Sequence, residues 1–140
     1  MTEKNMPKDK PAHEVRLGAV KDVLAAGEGI ETMLSLKSLL PQMPMVAALS
    51  AAHLAALLRP QLLRRLYVAV DNDPAGHRAA TRLTIRARSA DVESLLLMPH
   101  RDDWNTDLRT LGPRELLADL AVGLTDEDAA RFAGGNTSKT

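Results

Sequence analysis

The 140-residue sequence predicts an α/β fold: an open parallel sheet of four strands, helices on both faces, and extra C-terminal helices. Three observations carry that expectation. Four short apolar runs are continuous rather than alternating, which is how strands covered on both faces read. Segments with helical spacing stand between them, the pattern of parallel crossovers. Apolar residues make up 45% of the chain and aromatics only 2%, enough for one domain-sized core built from Leu, Val, Ile, Met and Ala.

Residues 1–13 are rich in Lys and Pro without periodicity and are expected to form a flexible arm. The first strand is "DVLAAG" (22–27), ending at a glycine. "IETMLSLKSLL" (30–40) has helical spacing through Ile30, Met33, Leu34 and Leu40, and Pro41 and Pro44 close it. "MVAALS" (45–50) is the second strand and "SAAHLAALL" (50–58) a helix capped by Ser50. "RLYVAV" (65–70) is the third strand, "AGHRAATRLTIRARSA" (75–90) a helix and "VESLLLM" (92–98) the fourth strand. A polar loop, "PHRDDWNTD", follows. Helices are then expected at 113–122 and from Asp126 to about Phe132, opening with Pro or acidic residues. The domain proper should span 14–112, with 113–133 packed on it or extending it and 134–140 a disordered tail.

Without cysteine there is neither a disulfide nor a thiolate metal site, so a reducing compartment is expected. No run approaches the ~18 apolar residues of a membrane span, and the N-terminus is too polar for a secretory signal. A cytoplasmic location with no membrane partner follows as an expectation. Net charge is zero but unevenly spread. Residues 59–101 hold eight arginines and four acids, and residues 102–131 hold eight acids and three arginines. A basic face can therefore lie beside an acidic site.

In an open parallel sheet, sites gather at the carboxyl ends of the strands. Three of those ends carry acids: Glu28 after the first strand, Asp71 and Asp73 after the third, Asp102 and Asp103 after the fourth. Each has a plainer use. Asp73 before Pro74 fits a helix N-cap, Glu28 between Gly27 and Gly29 fits a helix-start acid, and "RDDWNTDL" fits a capped turn with Trp104 covering the core edge. Asp71 is harder to dismiss, because a carboxylate ending an apolar strand is costly without a partner or cation. An EF-hand loop from Asp71 fails, since Ala75 and Arg82 stand where oxygen ligands are needed. An aspartate-nucleophile phosphatase is weakened by the same Ala75. Arg78, Arg82 and Arg86 recur every four residues and form either a solvated helix face or a phosphate-contacting stripe. His53 and His77 lack partner spacing; His100 lies nearer the acidic loop.

In order, "EGIET", "VAVDNDPAG" and "DWN" resemble the Toprim family, the metal-binding domain of bacterial-type primases, topoisomerases and several nucleases. The wording is closest to Toprim domains of phage- and plasmid-type primases and primase–helicases, over roughly residues 15–112. The resemblance implies a Rossmann-like Toprim fold. It also implies Mg²⁺ or Mn²⁺ at Asp71 and Asp73, with Asp103 and Asn105 completing or orienting a second site. Glu28 would be a proton shuttle or further ligand, and Arg78, Arg82 and Arg86 nucleic-acid contacts. Two departures stand out: Thr32 where primases usually have Asp, with Glu31 adjacent, and Asn105 where many members have a second Asp. The implied activity is metal-dependent nucleotidyl transfer, primer synthesis on single-stranded DNA with nucleotides and other replication domains or proteins as partners. A metal-dependent endonuclease and a non-catalytic DNA- or protein-docking module remain as alternatives. No helicase phosphate loop accompanies the motifs, and the only tyrosine, Tyr67, sits inside a strand.

Overall fold

A computed structural model describes residues 15–17, 22–47, 63–101 and 103–134. The expected arm, the helix at 50–58 with Ser50 and His53, Asp102 and the tail beyond Gly134 lie outside the described residues.

Five strands form one sheet: β1 (Val15–Leu17), β2 (Val23–Gly27), β3 (Met45–Ala47), β4 (Arg65–Ala69) and β5 (Glu93–Leu97), in the order β1-β3-β2-β4-β5. The four predicted strands are the parallel ones. The addition is β1, antiparallel on the outer edge of β3 with Val15 opposite Ala47. Three residues are too few to show a period, so the sequence gives no sign of it.

Alternation along the buried strands sorts the core into two layers. Val23, Ala25, Met45, Ala47, Tyr67 and Ala69 point to one face, and Leu24, Ala26, Val46, Leu66 and Val68 to the other. Helix α1 (Ile30–Leu39) covers the first face and α2 (Pro74–Ser89) the second. Right-handed crossovers require this. The chain leaves β2 towards β3 and leaves β4 towards β5, opposite directions along the sheet, so the two helices fall on opposite faces.

Along α1 the buried stripe is Met33, Leu36, Leu39 and Leu40, whereas Ile30 and Leu34 are exposed. The expected face was thus set about one residue off, because Leu36 and Leu39, not Leu34, continue the Met33 stripe. The polar loop after β5 is also shorter than expected: α3 (Trp104–Leu111) begins inside it. Asp103 caps that helix by accepting the Thr106 N–H at 2.7 Å, and Trp104 drives into the core at 3% exposure. Polar Asn105, Thr106 and Asp107 hid the helix from a reading based on apolar spacing. Helix α4 (Pro113–Val122) and a short α5 (Asp126–Asp128), widening into a π-helical stretch at Ala129–Ala133, complete the first face. They contribute Leu116, Leu120, Leu124 and Phe132 to its core.

An ionic cluster ties these last elements to the amino ends of β2 and β4. Asp22 receives both terminal nitrogens of Arg131, at 3.0 and 3.1 Å, and Arg64 at 3.1 Å. The Arg131 hydrogen bonds, with those of Arg64 behind them, hold the Asp22 carboxyl down to about 2 from its ordinary 3.8, against the opposing effect of burial. A depressed carboxylate stabilises the fold above its unfolded value, and that contribution disappears as pH falls through the folded value. The stability gap between wild type and Asp22→Asn is therefore expected to be full above about pH 5 and to close between about pH 4 and 2. Denaturant titrations at stepped pH check this; a gap unchanged at pH 2 counts against the pairing.

Candidate metal centre

Because β2 and β4 are neighbours whose chains diverge, a crevice opens between their carboxyl ends, the topological switch point where α/β sheets bind ligands. A cavity of about 470 Å³ lies at this end of the molecule, lined by Glu28, Gly29, Ile30, Glu31, Thr32, Asp71, Asp73, Asp103 and Asn105. All five residues proposed from sequence as metal or catalytic groups line this one cavity.

Each acid is placed by its own local structure. Asp71 follows the end of β4, and its Oδ1 accepts the Thr32 hydroxyl across from α1 at 2.8 Å. Asp73 is the N-cap of α2: its Oδ1 accepts the Gly76 N–H at 2.6 Å, with Pro74 at the first helical position. Asp103 spends one oxygen the same way on α3. Asn105 in turn receives the Ser35 hydroxyl of α1 at 3.4 Å. The capping interpretation of Asp73 and Asp103 and their place at the cavity are thus compatible, since each carboxylate keeps a second oxygen.

Glu28 lines the rim, and its Oε2 lies 3.7 Å from Arg82 Nη2. Both side chains are more than half exposed, so the pair adds little stability. It does bring the middle arginine of the α2 stripe to the acidic rim. Arg78 and Arg86 are exposed and make no ion pair with the described residues.

Further contributors are not evident from spacing. Asn72 donates to the Arg101 carbonyl at 2.9 Å and faces His77 Nε2 through its Oδ1 at 2.7 Å. An amide oxygen can only accept, so His77 is the donor. Asn72 thereby joins the Asp71–Asp73 turn to the segment that leads to Asp103. Asp107, fully buried, accepts the His100 N–H through Oδ2 at 2.5 Å and anchors the same segment from below; it is not on the cavity wall. The His100 ring turns to Asp119, 2.7 Å away.

The donor chemistry fits a hard divalent cation. Carboxylate, amide and hydroxyl oxygens face the cavity, with no sulfur or imidazole among the lining groups. Among the described residues no three His, Asp or Glu groups already converge closely enough to hold an ion. Water and substrate phosphate would complete the shell, which is the habit of Mg²⁺. Gly29 leaves the approach open: a Cβ there would stand 3.4 Å from Asp71 Oδ2, in ordinary contact but over the uncommitted oxygen. Gly29→Ala is accordingly expected to fold normally and to weaken Mn²⁺ binding roughly tenfold, as lost ligand support does. Isothermal titration beside a thermal melt checks both halves.

Fold and crevice define a doubly wound α/β domain with an oxygen-lined cavity at its switch point. The chain belongs to the Toprim family, whose domain model matches residues 23–114. Its fold is similar to that of the DnaG primase catalytic domain bound to single-stranded DNA, with a TM-score of 0.54 and 20% identity over 75% of this chain and 36% of that one. It is also similar to the E. coli primase catalytic core (0.52, 22%, 74% and 34%) and to the zinc-binding and RNA polymerase domains of Aquifex aeolicus primase (0.54, 20%, 84% and 30%). The chain spans about a third of the length of these structures. No curated protein matches it significantly. No helix among the described residues is long and apolar enough to cross a membrane.

Proposed function

We propose that this chain is the Toprim part of a primase-type nucleotidyltransferase that makes primers on single-stranded DNA in the cytoplasm, working with other replication domains or proteins. The observation that carries this reading is the single cavity in which Glu28, Asp71, Asp73, Asp103 and Asn105 meet from three separate segments. In it Asp71 and Asp73 hold Mg²⁺ or Mn²⁺ through the oxygens their hydrogen bonds leave over. Asp103 and Asn105 complete or orient a second position, and Glu28 serves as proton shuttle or additional ligand. A bound divalent ion would neutralise phosphate charge and stabilise the entering and leaving oxygens. Arg78, Arg82 and Arg86 contact phosphates along α2, with Arg82 drawn from Glu28 to the substrate.

The test combines Mn²⁺ titration with turnover. Wild type and Asp71→Asn/Asp73→Asn are incubated with labelled single-stranded DNA, nucleotides and Mn²⁺. Expected is Mn²⁺ binding by the wild type, lost in the double variant, with dinucleotide or primer formation where the chain works beside the replication domains that hold the template. Equal Mn²⁺ binding by the two proteins overturns the site. DNA cleavage replaces primer synthesis with an endonuclease, and DNA binding without turnover replaces it with a docking module.

A further inference from the structure

Resting on the cation site just described, we propose that Thr32 is the positioning residue of Asp71: its hydroxyl fixes one carboxylate oxygen so that the other alone is offered to the cation. Thr32 lies in the first turn of α1 at 5% exposure, and a hydroxyl so placed needs a partner. Other helical threonines of this fold behave differently: the buried Thr84 hydroxyl has no partner among the described residues, and two exposed ones bond locally. Thr81 and Thr110 return their hydroxyls to the carbonyls of His77 and Thr106, four residues back, at 2.9 and 2.8 Å. Thr32 instead reaches Asp71 Oδ1, 39 residues away, at 2.8 Å.

The consequence for Asp71 follows from its two oxygens. Oδ1 is taken by Thr32, and Oδ2 lies beside the space that Gly29 leaves open. The plane of the carboxylate is fixed without a second charge beside it, because a hydroxyl donates a hydrogen bond while remaining neutral. The β-branched side chain helps: χ1 of a helical threonine is limited to two wells, and the bond to Asp71 selects one of them. Ser35, one turn further and also buried, reaches Asn105 from the same helix face. Helix α1 thus presents two neutral donors, one to the turn after β4 and one to the first turn of α3.

Thr32→Val keeps the shape and removes the hydroxyl; Thr32→Ser keeps the hydroxyl and loosens it. Mn²⁺ affinity, read by isothermal titration and by the spin resonance of bound Mn²⁺, is expected to fall about tenfold in Thr32→Val and to return to within a few-fold of wild type in Thr32→Ser. Amide exchange across 71–76 in metal-free protein is expected to quicken only in Thr32→Val. If Thr32→Val binds Mn²⁺ as the wild type does, or Thr32→Ser is as weak as Thr32→Val, the positioning role is wrong while the cation site stands. A wild type that binds Mn²⁺ no better than Asp71→Asn/Asp73→Asn removes the site itself, and Thr32's role with it.

Discussion

Replacing Gly76 by alanine is expected to destabilise the protein by about 1–3 kcal/mol, the usual cost of forcing a methyl into a filled space, and to disrupt the Asp71 turn. A Cβ at this position would overlap the Asp71 carbonyl oxygen and stand 2.8 and 2.9 Å from the Asp71 carbonyl carbon and Cβ. Those atoms cannot rotate aside as a side-chain tip could. Either the amino end of α2 lifts from β4 or Asp71 moves, and in both cases Asp71 and Asp73 change their relative positions. The variant should therefore show a lower denaturant midpoint together with weakened Mn²⁺ binding. A wild-type midpoint for Gly76→Ala would mean that helix and strand do not approach as described.

Loss of Asp128 is expected to be costlier still, about 3–5 kcal/mol, because it strands a buried charge. Its carboxylate, fully buried, accepts Arg65 at 2.7 Å and the Tyr67 hydroxyl at 2.5 Å. Without it the nearly buried Arg65 keeps two largely exposed acids, Glu93 at 3.0 Å and Glu127 at 3.9 Å. A second signal comes from Tyr67, the only tyrosine. Burial, with the Asp128 hydrogen bond behind it, pushes its phenol above the ordinary 10. In Asp128→Ala the absorbance titration should move down towards 10, and in wild type stability should decline as pH rises past that value. Asp128→Asn, which keeps the shape and an acceptor, should be milder in both measurements. A wild-type denaturant midpoint in Asp128→Ala would show that Arg65 finds another partner.

What could be seen in the sequence follows from how each feature is encoded. The parallel strands and α2 are written in runs long enough for their period to show. The acids at Glu28, Asp71, Asp73 and Asp103 are visible because each stands at the end of an apolar run or in the short loop that follows it. The edge strand at Val15–Leu17 is too short to show, and α3 starts with residues that read as loop. The supporting groups were hidden for another reason. Thr32, noticed only as a departure from the family's pattern, reveals its use through a partner 39 residues away, as Asn72 does through Arg101. Hydrogen bonds between distant segments leave no spacing to count. Asp107 stands in the same polar run as Trp104, yet nothing local says whether such an acid faces a cavity or supports a backbone from beneath.

The ionic cluster around Asp22 and the leucines of α4 bear on where this protein can be cut. Every acid of the cavity precedes residue 114, where the family match ends, so a shortened gene stopping there looks sufficient for chemistry. Such a fragment would lack Leu116 and Leu120, each at or below 1% exposure, and with them about 1.5–3 kcal/mol apiece of apolar burial. It would also lose Arg131 from Asp22 and Asp128 from Arg65. A piece that keeps all of these contacts reaches to Ala133, well past the last residue that touches the cavity.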